Sequence, residues 1–293
     1  MKEKIKFIIN PKSGEDKTAN FIRRIKHYCE FFKIDSSISV TKGKSHGIEL
    51  ADDAMNHGFH TIVAVGGDGT VHEVIHGLAG KKLTLGVIPF GSSNDFARGL
   101  NIPRDVKEAM RIIAKRKIKE VDIVAMNDQF FINISSLGFD GEVVANLPKM
   151  KSKHLFKFVY ILGVLKEAFR YKKKKVRVIR DDVDMGIFNV NLIAIANGKY
   201  YGHGMLVAPH AELDNGLLDV VLIHELSQLR FVMNFPSVFK GTHIYKDGVL
   251  NFTCKKLVLL SDEKVYIESD GELTGTLPVE YKVFPKFQKL IVP

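Results

Sequence analysis

The chain has 293 residues, of which 45% are apolar and 26% charged, and a net charge of +10 from 43 basic and 33 acidic side chains. That length exceeds what one core usually holds, so two domains are expected, and the composition is that of an ordinary globular protein rather than a disordered or fibrous one. Cys29 and Cys254 give neither a disulfide framework nor metal-ligand spacing. No apolar window reaches the length of a membrane span, and the amino terminus lacks the apolar stretch of a signal peptide. A basic balance fits an anionic partner, either a nucleic acid or an acidic membrane surface, and equally an ordinary basic cytosolic protein.

Ile5 to Ile9 reads as a first strand, ending in Asn10-Pro11-Lys12-Ser13-Gly14. Helical spacing follows from Thr18 to Phe32, then a strand at 37–41 ending on Thr41, then a helix at 45–57 with Ser45 as its N-cap. Thr61 to Val65 is apolar and β-branched, as a buried strand of a parallel sheet is. It stops at Gly66-Gly67-Asp68-Gly69-Thr70, and a helix runs on through Val71 and His72 to Leu78. A fourth strand at 83–88 ends in Pro89-Phe90-Gly91-Ser92-Ser93-Asn94-Asp95. Helices at 95–99 and 106–115 complete this half. Alternating strands and helices predict a doubly wound, mostly parallel α/β sheet.

From about Ile118 the pattern changes. Strands are predicted at 119–126, 129–136, 176–180, 187–197, 217–224, 248–260, 265–270 and 279–283, as in an antiparallel sandwich or barrel. Helical stretches at Leu155–Tyr171 and Ser227–Phe239 interrupt them. The expected division is 1–125 for a nucleotide-binding α/β domain and 126–285 for an all-β-rich substrate domain. The apolar segment within 286–293 is free to return to the first domain as a late strand.

Three strand ends thus carry polar turns, at Asn10, Gly66 and Gly91, and a parallel sheet sets them on one edge with Thr41. Ligands bind at that edge in open α/β sheets. Glycines there admit a bulky ligand, and the next helix aims free N–H groups at the turn, which suits a phosphate. A P-loop is excluded, because Gly43-Lys44-Ser45 has Ile38 where the motif needs glycine. A G-x-G-x-x-G dinucleotide fingerprint is absent as well.

Asn10-Pro-Lys-Ser-Gly14, Gly66-Gly-Asp-Gly-Thr70 and Gly91-Ser-Ser-Asn-Asp-Phe-Ala-Arg98, with Gly216-Leu-Leu-Asp219 and Ser269-Asp-Gly-Glu272 later, resemble the diacylglycerol kinase family. The likeness is to its bacterial branch, with sphingosine and ceramide kinases as relatives. The Gly-Gly-Asp-Gly-Thr segment alone is shared with NAD kinases and phosphofructokinases.

The resemblance implies an ATP-dependent lipid kinase that phosphorylates diacylglycerol or a similar lipid. Glu272 is then the general base, and Asp68 and Asp95 handle the Mg2+ of Mg-ATP. Asn10, Pro11, Lys12, Ser13, Gly14, Thr41, Gly66, Gly67, Asp68, Gly69, Thr70, Val71, His72, Ser92, Ser93 and Asn94 form the nucleotide site. Relatives carry a second acid in the 214–217 turn as a structural Mg2+ ligand. Asn215 stands in that place, so Glu212, Asn215 and Leu217 are the ligand positions to examine. The loop Asn197–Gly204 is a plain loop or a wall of the lipid-side cleft. The expected setting is cytoplasmic, on the inner face of an anionic membrane, through the apolar 155–171 stretch and Lys172 to Lys175. No nucleic-acid partner is expected, and a homodimer stays open. The competing readings are a kinase of a soluble acceptor such as NAD and a non-catalytic nucleotide-binding regulator.

Overall fold

A computed structural model describes residues 4–11, 18–78, 81, 83–146 and 167–293. Lys12, Ser13, Gly14 and positions 155–166 of the predicted helix lie outside the described residues. In the first half β1 (Ile5–Ile9), α1 (Thr18–Phe31), β2 (Ser36–Val40), α2 (His46–Ala54), β3 (Thr61–Gly66), α3 (Asp68–Leu78), β4 (Thr84–Pro89), α4 (Asp95–Gly99) and α5 (Val106–Lys115) follow in order. The strands are parallel in the order β4-β3-β1-β2. Every residue of β3 and β4 is buried, as the unbroken apolar runs require of strands covered on both faces. α5 buries Val106, Ala109, Met110 and Ile113 at helical spacing, and the Asp105 side chain caps it by accepting from Glu108 N at 3.0 Å.

The second half runs β5 (Ile118–Met126), β6 (Gln129–Phe131), β7 (Ile134–Gly138), α6 (Phe139–Asn146), β8 (Lys174–Arg180), β9 (Val183–Ala196), β10 (Tyr200–Tyr201), β11 (Met205–Leu206) and β12 (Leu218–His224). Then come α7 (Gln228–Asn234), two 3-10 turns (Phe235–Lys240, Thr242–Tyr245), β13 (Val249–Cys254), β14 (Lys256–Leu260), β15 (Tyr266–Ser269), β16 (Glu272–Thr276) and β17 (Val279–Ile291). Its ladder is antiparallel in the order β16-β15-β7-β9-β8-β14-β17, with β12 and β13 added at β9.

β17 joins the halves. Its first part pairs antiparallel with β14, and Lys289 and Leu290 pair in parallel with Thr84 and Leu85 of β4. β5 lies antiparallel to β17 along its whole length, with a register shift between Phe284 and Gln288. Pro285 sits in that irregularity, so one strand passes where the sequence suggested two pieces. The buried Asp122 carboxylate secures the crossing. It accepts from Lys286 N at 2.8 Å and from Gly216 N at 2.7 Å. Gln288 Nε2 donates to Leu83 O at 2.7 Å, which ties β17 to the start of β4.

Several predicted elements are redrawn. The 248–260 strand is two, because Lys255 N and Lys256 N both turn to Asp181 Oδ1 at 2.9 Å. The 129–136 strand breaks into β6 and β7. The 227–239 helix gives way to a 3-10 turn at Phe235, where Pro236 removes a donor. Ser45 does not cap α2 with its side chain. Its backbone is left-handed, at φ 67°, and Glu73 of α3 takes the role instead, accepting from Ser45 N and Gly47 N at 2.9 Å each.

Removing the Asp122 acceptor strands two amide donors. Asp122→Ala is expected to cost about 3 kcal/mol in urea unfolding, and Asp122→Asn, which keeps one acceptor oxygen, roughly half of that.

Candidate active site

The carboxyl ends of the parallel strands form a continuous edge. Asn10 N donates to Val65 O at 3.0 Å, Thr41 N to Ile9 O at 2.9 Å and Phe90 N to Gly66 O at 2.8 Å. Asn10, Thr41, Gly66 and Gly91 therefore sit side by side, as the sequence implied. The glycines have separate uses. Gly67 and Gly91 touch backbone to backbone, and a Cβ on Gly91 would come within 2.5 Å of Gly67 Cα. Gly69 faces open space, and it is the position of the three that leaves room for a ligand. α3 starts at Asp68, three residues earlier than the apolar pattern suggests, because Thr70 N closes onto Gly67 O at 2.9 Å.

Asp68 Oδ1 accepts from Phe96 N at 3.0 Å, so one carboxylate links the β3 turn to α4. Burial raises its pKa, the Phe96 and Asp95 amides oppose this, and the charges of Asp95 and Asp270 push it up further. The buried Asp95 takes His203 N at 2.8 Å and the Ser93 hydroxyl on Oδ2, while Arg98 Nε lies 3.4 Å from Oδ1. Asp95 Oδ1 has no hydrogen-bond donor among the described residues. Asn94 is committed elsewhere. Its amide oxygen accepts from Gly91 N at 2.8 Å and its NH2 donates to Gly91 O at 2.7 Å, so its side chain closes its own turn rather than facing a nucleotide. Ser93 is likewise held by Asp95 and by His203 N at 3.0 Å. Ser92 is exposed on the edge, and its carbonyl accepts from Arg104 at 2.8 Å.

The second half reaches this edge through the β15–β16 turn. His72 Nδ1 lies 3.0 Å from Asp270 Oδ2. Burial lowers the His72 pKa, but the Asp270 hydrogen bond and the charges of Asp270, Glu272 and Glu73 outweigh it and raise the value. His72 thus meets the opposite domain through Nδ1. Glu272 forms an ion pair with Lys44 Nζ at 2.7 Å, and this carboxylate raises the Lys44 pKa. Lys44 was legible only as the tail of a failed P-loop. Its partner is 228 residues away, a separation no local pattern reveals.

Behind the turn lies a buried acid pair that sequence reasoning missed. Ser136 Oγ is 2.7 Å from Glu268 Oε1 and 3.0 Å from Asp140 Oδ2, and Gly271 N donates to Glu268 Oε2 at 2.9 Å. A serine has one hydroxyl proton, so both contacts are satisfied only when a carboxyl group supplies the other. Burial, with the nearby Asp140 charge, pushes Glu268 up to about 8, and burial also raises Asp140. Glu268 is the acid that holds the proton. Asp140 also accepts from Tyr201 OH and faces a narrow apolar pocket of about 50 Å3, lined in part by Phe139, Leu192, Met205, Phe231 and Val238. The loop after Asn197 connects this pocket to the edge, since Tyr201 meets Asp140 and His203 meets Asp95.

Asp68 and Asp95 fit the Mg2+ of Mg-ATP, a cation bound by few carboxylates with the rest left to phosphate and water: their charges are clustered, and Asp95 Oδ1 has no hydrogen bond, only the longer Arg98 contact. The structural Mg2+ expected at Glu212, Asn215 and Leu217 does not fit. Asn215 Oδ1 accepts from Leu217 N at 2.9 Å, and Asp214 is paired with Lys119 at 2.8 Å. No group of three metal-ligating side chains occurs among the described residues.

Comparison with known proteins places this architecture. Residues 4–126 match the diacylglycerol kinase catalytic domain, and residues 133–292 match the YegS C-terminal NAD kinase beta sandwich-like domain. The chain belongs to the bacterial diacylglycerol kinase and YegS-like lipid kinase family. It is 27% identical to a diacylglycerol kinase of Bacillus subtilis strain 168 over 295 residues, covering 99% of this chain and 97% of that one. A Mycobacterium tuberculosis H37Rv diacylglycerol kinase is 27% identical over 99% of this chain and 95% of its own. In fold, a diacylglycerol kinase crystal structure from Bacillus anthracis superposes with a TM-score of 0.76 at 22% identity, covering 99% and 97% of the two chains. An Archaeoglobus fulgidus NAD kinase in complex with ATP gives 0.52 at 13%, covering 98% and 93%.

The raised Glu268 carboxyl makes stability depend on pH. Its proton stays on in the folded chain up to about 8 but leaves the unfolded chain near the ordinary value of 4.5, so stability falls as pH rises through that window. Glu268→Gln mimics the protonated acid. Its melting temperature is expected to decline less steeply than wild type between these values, read by circular dichroism across the range.

Proposed function

We propose that this family member transfers the γ-phosphate of ATP to the hydroxyl of diacylglycerol or a similar lipid, giving phosphatidate or its analogue. The observation that carries the reading is the apolar pocket with a polar lip, joined to the phosphate edge by the 197–204 loop. Such a lining suits the acyl part of a lipid, with the polar lip beside its hydroxyl end.

The nucleotide lies along the edge of Asn10, Thr41, Gly66 to Val71 and Ser92, with its phosphates toward the amino end of α3. Lys12, Ser13 and Gly14 complete this set from the sequence. Asp68 and Asp95 would hold the Mg2+ of Mg-ATP, which would neutralise charge on the phosphates. Glu272 removes the proton from the lipid hydroxyl. The freed oxygen attacks the γ-phosphorus, the bond to the β–γ bridging oxygen breaks, and ADP leaves with that electron pair. Such transfer depends on positioning and charge stabilisation more than on covalent chemistry. Lys44 sets the Glu272 carboxylate on the cleft side of its turn.

A labelled-ATP assay against a panel of lipid alcohols, with NAD included, tests this. Wild type is expected to label diacylglycerol or a close relative. Glu272→Gln is expected to lose about 100-fold or more in kcat with little change in the KM for ATP. Asp68→Ala is expected to lose turnover while keeping a cooperative unfolding transition. Labelling of NAD alone would favour the soluble-acceptor reading, and full activity in Glu272→Gln would remove that residue from the base role.

A further inference from the structure

α7 and the two 3-10 turns after it form a cap with two apolar faces. The inner face carries Phe231 and Val238 into the pocket, and Phe231 meets Phe139 edge-to-face at 5.2 Å. The outer face carries Leu229, Met233, Phe235, Phe239 and Tyr245, whose exposures run from 37% at Phe235 to 75% at Tyr245. Leu229 and Met233 are four residues apart on α7 and share a side of it. Phe235 and Phe239 lie edge-to-face at 5.8 Å, and Lys246 Nζ donates to Asn234 Oδ1 at 2.8 Å, folding the second turn back on the helix. Large side chains concentrated this way on a surface mark a partner.

The charge around them indicates which one. Between Glu225 and Asp247 the sequence has no acid, while Arg230, Lys240 and Lys246 are basic, in a chain already at +10. We infer that this cap is the surface by which the protein docks on an anionic lipid bilayer. The placement makes a path: Phe235 lines the pocket and also shows on the outer face, so an acyl chain passes from bilayer to pocket along apolar side chains. The described end of the 155–171 stretch that the sequence suggested packs beside this cap, where Ala168 and Tyr171 share a cluster with Phe231 and Val232. The inference rests on the lipid-kinase reading only for its purpose, since vesicle binding is measured without catalysis.

The test uses the full chain and vesicles of phosphatidylcholine, alone or with roughly a third phosphatidylglycerol. A Leu229→Ser/Met233→Ser/Phe239→Ser variant changes exposed positions outside the pocket lining, and circular dichroism checks its fold. It is expected to reduce the partition coefficient on anionic vesicles about tenfold or more. Arg230→Gln/Lys240→Gln is expected to weaken anionic binding about fivefold per charge, with no effect on neutral vesicles, and salt is expected to remove the difference. The triple variant is also expected to phosphorylate a short-chain diacylglycerol in solution like wild type and to fail on vesicle-embedded substrate. Wild type that ignores anionic vesicles, or a triple variant that binds them unchanged, would overturn the inference. So would a wild-type dimer that the triple variant converts to monomer with vesicle binding intact, which would make the cap a self-association face. If no lipid alcohol is phosphorylated while the variant still loses vesicle binding, the docking surface stands and the kinase reading falls.

Discussion

β17 belongs to both halves of the chain, and the position of the candidate site follows from that. One end pairs in parallel with β4 and the other antiparallel with β14, with β5 alongside throughout. From β17 the ladder passes through β14, β8, β9 and β7 to β15, and its far edge returns to face α3. The Asp270–Glu272 turn therefore meets His72 and Lys44 without a linker to orient it. A strand shared by two domains leaves less freedom than a hinge does. Asp122 and Gln288 are placed where that strand changes partners: Asp122 takes the Lys286 amide, which would otherwise go unpaired, and Gln288 donates to the Leu83 carbonyl.

Charge is divided across the cleft in a consistent way. Asp68 and Asp95 from the first half and Asp270 and Glu272 from the second are gathered near one another. Arg98, His72 and Lys44 each answer one of them: Arg98 at Asp95, His72 at Asp270 and Lys44 at Glu272. Burial leaves Asp68 with a raised pKa and Asp95 with an oxygen lacking a donor, a set better suited to a cation carried in on a nucleotide than to a resident metal. On the pocket side the acids are handled differently. Glu268 keeps its proton, shares Ser136 with Asp140, and lends its other oxygen to the backbone of the Asp270–Glu272 turn. The pocket and the turn are thus joined by hydrogen bonds rather than by packing alone.

The first half was legible because its signals are local. Buried β-branched runs mark the strands, and each polar turn falls at a strand's carboxyl end, so the edge of Asn10, Thr41, Gly66 and Gly91 follows from alternation alone. What the sequence hid depends on distance along the chain. Asn94 looked like a ligand residue and instead closes its own turn. His72 meets Asp270 across the domains, a contact no local pattern reveals. Ser45 looked like a cap and yields to Glu73, on the next helix. Asn215, where an acid was expected, uses its amide oxygen to accept from Leu217 N. The Glu268–Ser136–Asp140 group carried no sequence signal, because the residues come from three separate elements and only burial makes their protonation unusual.

The central claim is that one site is built jointly by the two halves. Hydrogen exchange on the full chain, with and without Mg2+ and a non-hydrolysable ATP analogue, tests it most directly. The account predicts slowed exchange at Gly66 to His72 and, in the same experiment, at Glu268 to Glu272, although these segments lie in different domains. Protection confined to the first half, with the Glu268 to Glu272 amides unchanged, would contradict it.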